Sequence, residues 1–470
     1  MKEKTTKRWF PNVYALLFLL AVAAAVMTWV IPAGSFERVT EGTVTTVVPG
    51  TFAFAEQKPQ GLWQIFEALV SGFKNQVSLI LMILFVGAAV NMLAETKAID
   101  TIFTRLAKAV KGKEEIAVFC VMAFMSMGGA TGVFGNVTLV LVPIGIFLSQ
   151  AMGFDKTLGF FMIFFGSFSG FNVGWANAGV LGIAQSIAEV PMFSGFGARV
   201  IFHAVNFTIS YVFVWMYLQQ IKKDPKRSLN YETGVKTSEI MGSREASSRM
   251  EESVVTGSQI LSMVCMMGGL LAVVFGALKF KWGADKISAT FLVVAFLIGA
   301  VSCRDMNEVF DRFIRGCSGV VTAAFIVGFA NAITVLMKNG NILDTIVYYL
   351  AMPINHFGPT VGAAFMYLAN VIINFFISSG SGQAAAVMPI MVPIADLTGI
   401  TRQVAVQAFQ FGDGFTNCII PTVGTLMGGL GFAGISYGKY LKKVMPFIIL
   451  QLVLALIAIV VLQSIGWTGL

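Results

Sequence analysis

Asp413 stands between two glycines inside an otherwise apolar run, in Gly412-Asp413-Gly414-Phe415-Thr416-Asn417. A carboxylate at membrane depth is costly and by default marks a functional position. Four roles fit it: a carrier of protons, a ligand of a sodium ion, a counter-charge for a cationic group on a bound molecule, or a structural cap on a broken helix. Thr416 and Asn417 supply further oxygens beside it, which favours the cation-binding roles. A second apolar run is interrupted in the same manner at Gly170-Phe171-Asn172-Val173-Gly174 and at Asn177. Asn172 and Asn177 would complete a polar cage opposite Asp413.

Two further polar interruptions lie at Gly-rich points between short apolar limbs. One is Gly128-Gly129-Ala130-Thr131-Gly132, with Thr131 and the nearby Asn136 as its polar side chains. The other is Ser378-Ser379-Gly380-Ser381-Gly382-Gln383, which offers Ser379, Ser381 and Gln383. Each reads as the tip of a re-entrant hairpin. Non-helical backbone in hydrocarbon survives only inside protein or beside a wet cavity. Helix ends exposed there present N–H groups that favour anions and carbonyls that favour cations. Close helix packing is the competing role for Gly and Ser in membrane helices. Gly428-Gly429 and Phe432-Ala433-Gly434 are read that way.

The elements that position these residues are transmembrane helices. Of the residues, 56% are apolar and 12% charged, against about a quarter charged in soluble domains. Apolar stretches of about 20 residues, the length that crosses the hydrocarbon core, recur along the chain. The net charge of +8 is no sign of nucleic-acid binding, because Lys and Arg gather at the ends of apolar segments as the positive-inside rule requires. Cys120, Cys265, Cys303, Cys317 and Cys418 are scattered and read as free small hydrophobes. No Walker loop, catalytic triad or HExxH stretch occurs, and neither His203 nor His356 has a metal-ligand neighbour. An enzyme and a nucleotide-driven pump are therefore disfavoured. No cofactor or metal is expected beyond coupling to sodium or protons.

The chain also repeats itself. Residues 66–102 align with 310–346 without a gap at an offset of 244, so Phe66, Gly72, Val77, Phe85 and Ala88 return as Phe310, Gly316, Val321, Phe329 and Ala332. Asp100-Thr101-Ile102 returns as Asp344-Thr345-Ile346, and Val142-Pro143-Ile144 as Val392-Pro393-Ile394. Paired hydrophobic units with polar interruptions mark a secondary transporter.

A first helix from about Val13 to Ile31 follows Lys2, Lys4, Lys7 and Arg8 and reads as a retained signal anchor. Then come an external polar loop at 34–62, a helix at 74–94 running inward, a hairpin at 116–151, a broken segment at 157–190 and a helix at 199–220. Residues 222–256 carry seven Lys or Arg and six Asp or Glu and read as a disordered cytoplasmic connector. Helices at 258–278, 287–303 and 318–338 follow, then hairpin limbs at 360–377 and 384–398, a broken segment at 402–433 and a last helix at 445–463. The division is 1–62 for the first helix and external loop, 63–221 for the first repeat and 222–257 for the linker. Residues 258–305 form two connecting helices and 306–470 the second repeat. Lys and Arg placement makes the helix at 74–94 run inward and its counterpart at 318–338 outward, so the repeats are inverted. The N-terminus is then cytoplasmic and the C-terminus external, in the plasma membrane of a bacterium. The fold class is an all-α polytopic membrane protein of two inverted repeats, each with a re-entrant hairpin and a broken helix.

Three stretches resemble the anaerobic C4-dicarboxylate carrier-like family: Ile31-Pro32-Ala33-Gly34-Ser35-Phe36, Ser378–Gln383 leading to Met388-Pro389-Ile390-Met391-Val392-Pro393, and Phe411–Asn417. The closer likeness is to its YfcC branch, whose members are labelled as basic amino-acid or arginine/ornithine antiporters. At fold level the chain is similar to the ion transporter superfamily. That resemblance implies a homodimer working by an elevator motion, with substrate and sodium at hairpin tips and helix breaks. The family's Ser-Asn-Thr tips are replaced here by Ala130-Thr131-Gly132 and Ser379-Gly380-Ser381-Gly382. The resulting reading is a secondary transporter, antiporter or ion-coupled symporter, of a small carboxylate-bearing metabolite, foremost an amino acid. A C4-dicarboxylate carrier and a passive channel are the alternatives. The partners expected are the small-molecule substrate, the lipid bilayer and a second copy of the chain, with no nucleic acid.

Overall fold

The computed structural model describes residues 13–41, 44–96, 98, 112–135, 137–231, 241, 256–280 and 282–469. Asn136, Lys97, Arg105, Lys108, Lys111, the triplet Asp100-Thr101-Ile102 and most of the linker beyond Tyr231 lie outside the described residues. The protein is mostly helical. Five helices are long and apolar enough to cross a membrane among the described residues, and a sixth counts if one bent pair is a single span.

The uncharged run VYALLFLLAVAAAVMTWV forms α1 (Val13–Val30), which ends just before Pro32. The segment after it is more than the expected loop. It forms two antiparallel ribbons, β1 (Gly34–Ser35) with β4 (Ala53–Phe54) and β2 (Arg38–Glu41) with β3 (Val44–Val47). The fold is thus all-helical only within its membrane part. Asp344 ties the ribbons down: its Oδ1 accepts from Arg38 Nη2 at 2.7 Å and its Oδ2 from the Phe36 amide at 3.0 Å. Phe52 stacks on Tyr348 at 4.2 Å.

Residues 62–75 form a helix, α2 (Leu62–Asn75), in the stretch between the expected loop at 34–62 and the helix expected at 74–94. Its Ile65, Ala68 and Gly72, spaced three and four apart, are buried, while Leu62, Trp63, Phe66 and Val70 face outward. After Gln76 the chain continues as α3 (Val77–Glu95). α3 packs against α10 (Ala284–Ser302) and α11 (Met306–Asn339). α11 bends by 41° between Met306–Thr322 and Ala324–Asn339. Glu95 at the end of α3 meets Arg312 at 3.2 Å and Arg315 at 3.0 Å near the start of α11, so the two helices run antiparallel. The contacts are reciprocal across the repeat. A Cβ at Gly72 would lie 2.9 Å from the Ala332 nitrogen, and one at Gly316 2.6 Å from Ala88 Cα. Both pairs exchange under the offset of the sequence repeat, and only glycine permits backbones this close.

The first hairpin is α4 (Glu114–Ala130) and α5 (Val137–Ala151), both packed on α6 (Lys156–Phe171). Among the described residues its tip lies at 131–135, later than expected. Gly128 and Gly129 remain in the last turn of α4 because they serve packing: a Cβ at Gly129 would sit 1.9 Å from the Ser167 carbonyl oxygen on α6. After a break at 172–180 come α7 (Leu181–Ile187) and α8 (Phe196–Lys223). Beyond it α9 (Gly257–Phe280) leads to α10. The start of the connector is folded. Ser228 Oγ donates to Asp155 Oδ2 at 2.6 Å, Tyr217 donates to the same oxygen, and Asn230 Nδ2 donates to the Ala433 carbonyl at 2.8 Å.

In the second half, α12 (Leu343–Ala351) leads to the hairpin of α13 (Pro359–Phe376) and α14 (Gly380–Thr398). The 18 residues of α13 are long and apolar enough to cross a membrane, although the helix ends at a tip packed inside the protein. α15 (Arg402–Thr416), a break at 417–423, α16 (Gly424–Ala433) and α17 (Tyr437–Ser464) complete the chain. Equivalent elements pack alike in the two halves: α4 and α5 on α6, α13 and α14 on α15. One apolar core joins α1, α3, α10 and α11 to α4–α6 and α16, and a second lies among α13, α14, α15 and α17.

Candidate substrate and cation site

Both hairpin tips and both helix breaks meet at one cavity of about 550 Å³. Gly132–Gly135 come from the first tip and Ser378–Ser381 from the second; Asn177 and Val180 come from the first break, Asn417 and Thr422 from the second. Gln76, Asn331 and Thr334 close it from the side of α2, α3 and α11. Among the described residues that line it, none is charged.

The sequence-predicted residues divide into two layers. Asn177, Ser379, Ser381 and Asn417 line the cavity. Gly132 adopts φ +75°, the left-handed region, and a Cβ there would lie 2.4 Å from Asn177 Oδ1, so the first tip rests directly on the first break. Ser379 caps α14, its Oγ accepting from the Gly382 amide at 3.4 Å. α14 starts at Gly380, so Ser381 and Gln383 belong to its first turn and not to an irregular tip. Thr131 does not reach the cavity; its Oγ1 lies 3.1 Å from the carbonyls of Met127 and Gly128.

Asp413, Thr416, Asn172 and Gln383 form the layer behind, all at most 3% exposed. Asp413 is not in a break, as the glycines around it imply, but in the last turn of α15. The flanking glycines allow close approach instead: a Cβ at Gly412 would lie 2.5 Å from Asn370 Cβ, and one at Gly414 2.5 Å from Asn172 Cα. Asp413 Oδ1 accepts from Asn417 Nδ2 at 3.4 Å, and Asp413 Oδ2 has no hydrogen-bond partner. That free oxygen would lie 3.0 Å from a Cβ at Gly380, the first residue of α14. The positive end of the α14 dipole therefore faces the carboxylate.

Asn374 on α13 is the hub that sequence reading missed. Its Nδ2 lies 2.7 Å from Thr416 Oγ1, 2.9 Å from Asn417 Oδ1 and 2.9 Å from the Asp413 carbonyl. Gln383 Nε2 is held by Asn370, 3.2 Å from its carbonyl and 3.1 Å from its Oδ1. Asn370 and Asn374, four apart in an apolar limb, were a legible signal, because buried amides there face protein. Among the described residues, the buried oxygens without a partner include Asp413 Oδ2, Asn172 Oδ1, Asn374 Oδ1, Gln383 Oε1, Gln410 Oε1 and the cavity-lining Thr422 Oγ1. Such oxygens suit a hard cation or an ammonium group. Among the described residues no group of three His, Cys, Asp or Glu could hold a metal ion.

His203 lies apart from this site. Trp175 Nε1 donates to its Nδ1 at 2.8 Å and its Nε2 lies 2.6 Å from Ser126 Oγ, a satisfied packing role.

The profile of the DcuC family, C4-dicarboxylate anaerobic carriers, matches residues 10–464. An Escherichia coli (strain K12) protein named "Putative basic amino acid antiporter YfcC" is 28% identical over 506 residues, covering 99% of each chain. A Haemophilus influenzae protein is 24% identical over 98% of each. Among solved structures, the Alcanivorax borkumensis YdaH transporter aligns over 98% of this chain and 100% of its own at 15% identity, with a TM-score of 0.42.

Proposed function

The chain belongs to the C4-dicarboxylate anaerobic carrier family, and from that premise we propose that it carries a small carboxylate-bearing amino acid of the arginine or ornithine kind. Transport is secondary active, by antiport or ion-coupled symport. The observation that carries this reading is Asp413: wholly buried, one oxygen unpartnered, one layer behind an uncharged cavity and joined to it through Asn417. A buried carboxylate without a cationic partner calls for a cation or a proton. The substrate carboxylate meets Ser379, Ser381 and the amides that open α14. Its ammonium group, or a coupling sodium ion, draws on Asp413 and the oxygens of Thr416 and Asn417. The relative named as a basic amino acid antiporter agrees with this choice.

One feature favours the dicarboxylate alternative. The N-terminal end of α16, at Val423, Gly424 and Thr425, also lines the cavity. Two helix N-termini suit two carboxylates. A dicarboxylate, however, leaves Asp413 without a substrate partner.

Alternating access is by an elevator motion of the hairpins and broken helices against α2, α3, α10 and α11, in a homodimer. α16 meets that frame through a small residue: a Cβ at Gly424 would lie 2.7 Å from Leu79 Cδ2. The antiparallel course of α3 and α11, and the reciprocal contacts of Gly72 on α2 with Ala332 and of Gly316 on α11 with Ala88, support an inverted repeat. Lys222, Lys223, Lys439 and Lys442 are exposed near one end of the bundle, which favours that end as cytoplasmic, with the N-terminus inside and the C-terminus outside.

Uptake of labelled amino acids and dicarboxylates into proteoliposomes, with and without sodium and a pH gradient, tests the proposal. Saturable uptake of a basic amino acid, driven by counter-substrate or an ion gradient, is expected. Ohmic current without saturation points to a pore, and preference for dicarboxylates overturns the amino-acid assignment.

A further inference from the structure

Away from the cavity, a groove of about 470 Å³ runs between α8 and α17. Its walls are apolar, with Ile209, Phe213 and Met216 from α8 and Phe447 and Leu450 from α17. Val212, Met216 and Leu450 are 43%, 49% and 49% exposed, so the groove opens sideways to the bilayer. Along α8 it extends from Thr208 to Gln220. Twelve helical steps are about 18 Å, close to the ~15 Å depth of one leaflet's hydrocarbon. At the far end the Thr208 hydroxyl is satisfied by the Ala204 carbonyl at 2.8 Å.

The other end is polar and cationic. Lys443 stands at the rim, its Nζ bonded to Gln220 Oε1 and 5.6 Å from the Tyr217 ring centroid. It has no carboxylate partner among the described residues, and Arg227 adds repulsion from a second cation. Nearby acids are engaged elsewhere: Asp224 lies 3.7 Å from Arg227, Glu114 and Glu115 face Lys222 at 3.6 and 3.3 Å, and Asp155 is buried under Tyr217 and Ser228. The site thus couples an apolar trough one leaflet deep to a lysine at its mouth that no carboxylate among the described residues compensates.

We propose that this groove binds an anionic phospholipid, with one acyl chain between α8 and α17 and the phosphate at Lys443. Basic pockets between transmembrane helices at the cytoplasmic side recognise such headgroups, with roughly 1 kcal/mol per lysine near the surface. Tyr217 links the site to the fold, since its ring borders the lysine and its hydroxyl holds Asp155. A bound lipid would therefore brace the corner where α6, α8 and the start of the connector meet.

The test is lipid titration of the detergent-purified protein, read by melting temperature and by native mass spectrometry. Phosphatidylglycerol should bind and stabilise where phosphatidylcholine does not. Lys443→Gln should weaken phosphatidylglycerol about fivefold, and Lys443→Arg should keep the preference. Val212→Trp, at an exposed position that tolerates bulk, should block the trough and abolish the stabilisation; it carries the test alone should Lys443→Gln fail to fold. Equal response to the two lipids, or a Val212→Trp protein that binds phosphatidylglycerol normally, overturns the proposal. Glycerol phosphate matching the intact lipid would overturn it too, by reducing the site to a phosphate contact.

Discussion

Asp413 Oδ1 accepts a hydrogen bond from Asn417 Nδ2 at 3.4 Å, while Asp413 Oδ2, equally enclosed, accepts none. One side chain thus joins a buried carboxylate to the cavity wall, and the other carboxylate oxygen has no hydrogen-bond partner among the described residues. Asn417 is the contact through which cavity occupancy and the state of Asp413 can influence each other.

Ser379 and Ser381 should separate by readout. Ser379→Ala removes the cap of α14 and should cost about 1 kcal/mol of stability, seen as a lower melting temperature. Ser381→Ala leaves the cap intact. It should raise the KM for transport without shifting the melting temperature.

At the first tip, Gly132→Ala should be worse than Gly382→Ala at the second. Gly132 has φ +75° and a Cβ there would press on Asn177, whereas a Cβ at Gly382 meets Ser379 Oγ at 3.2 Å, Ser379 Cβ at 3.3 Å and Ile377 Cγ2 at 3.9 Å. The left-handed conformation alone costs a non-glycine residue roughly 1–2 kcal/mol. The bulkier Gly132→Leu and Gly382→Leu should each abolish transport while leaving folded protein in the membrane. Normal uptake by both leucine variants would reduce the tips to packing.

The topology is open to cysteine labelling in intact cells, in a background without the native cysteines. Cys placed at Ser238 in the connector should be protected from an impermeant reagent, and Cys at Gln57 in the external segment should react. Labelling at position 238 would invert the assignment of sides.

Long apolar runs made the helices readable, and the polar interruptions made the two hairpins and two breaks readable, because hydrocarbon tolerates so little irregular backbone. Element edges were less legible. Gly128, Gly129, Gly412 and Gly414 look like helix breakers in sequence, yet they sit within helices; Gly129, Gly412 and Gly414 admit a neighbouring backbone and Gly128 the Phe134 ring. Only the packing partners, Ser167 on α6 and Asn172 and Asn370 around α15, distinguish the two uses. α2 was missed because its apolar spacing is that of a surface helix and its start follows a polar loop. Asp344 was visible as a repeated residue, but its hold on Arg38 and Phe36 depends on contacts about 300 positions apart. Of the site itself, the cavity-facing serines and asparagines were readable from the breaks. Asn374 was legible as a buried amide four residues from Asn370, but its contacts with Thr416 and Asn417 were not; Gln76 and Asn331 join the site only through tertiary contacts.

The central claim is that Asp413 supplies the buried counter-charge for a substrate amine or a coupling cation. Its most direct test is uptake by Asp413→Asn in proteoliposomes, over a range of basic amino-acid and sodium concentrations and at several external pH values. Removing a buried charge from such a pair costs 2–5 kcal/mol, so apparent affinity for the partner cation should fall about 30-fold or more, with folded protein retained. Dependence on that partner alone should disappear: on sodium, on pH or on the charge of the amino acid. Wild-type kinetics in Asp413→Asn, with ion and pH dependence unchanged, would contradict the account and leave Asp413 as a structural cap on α15.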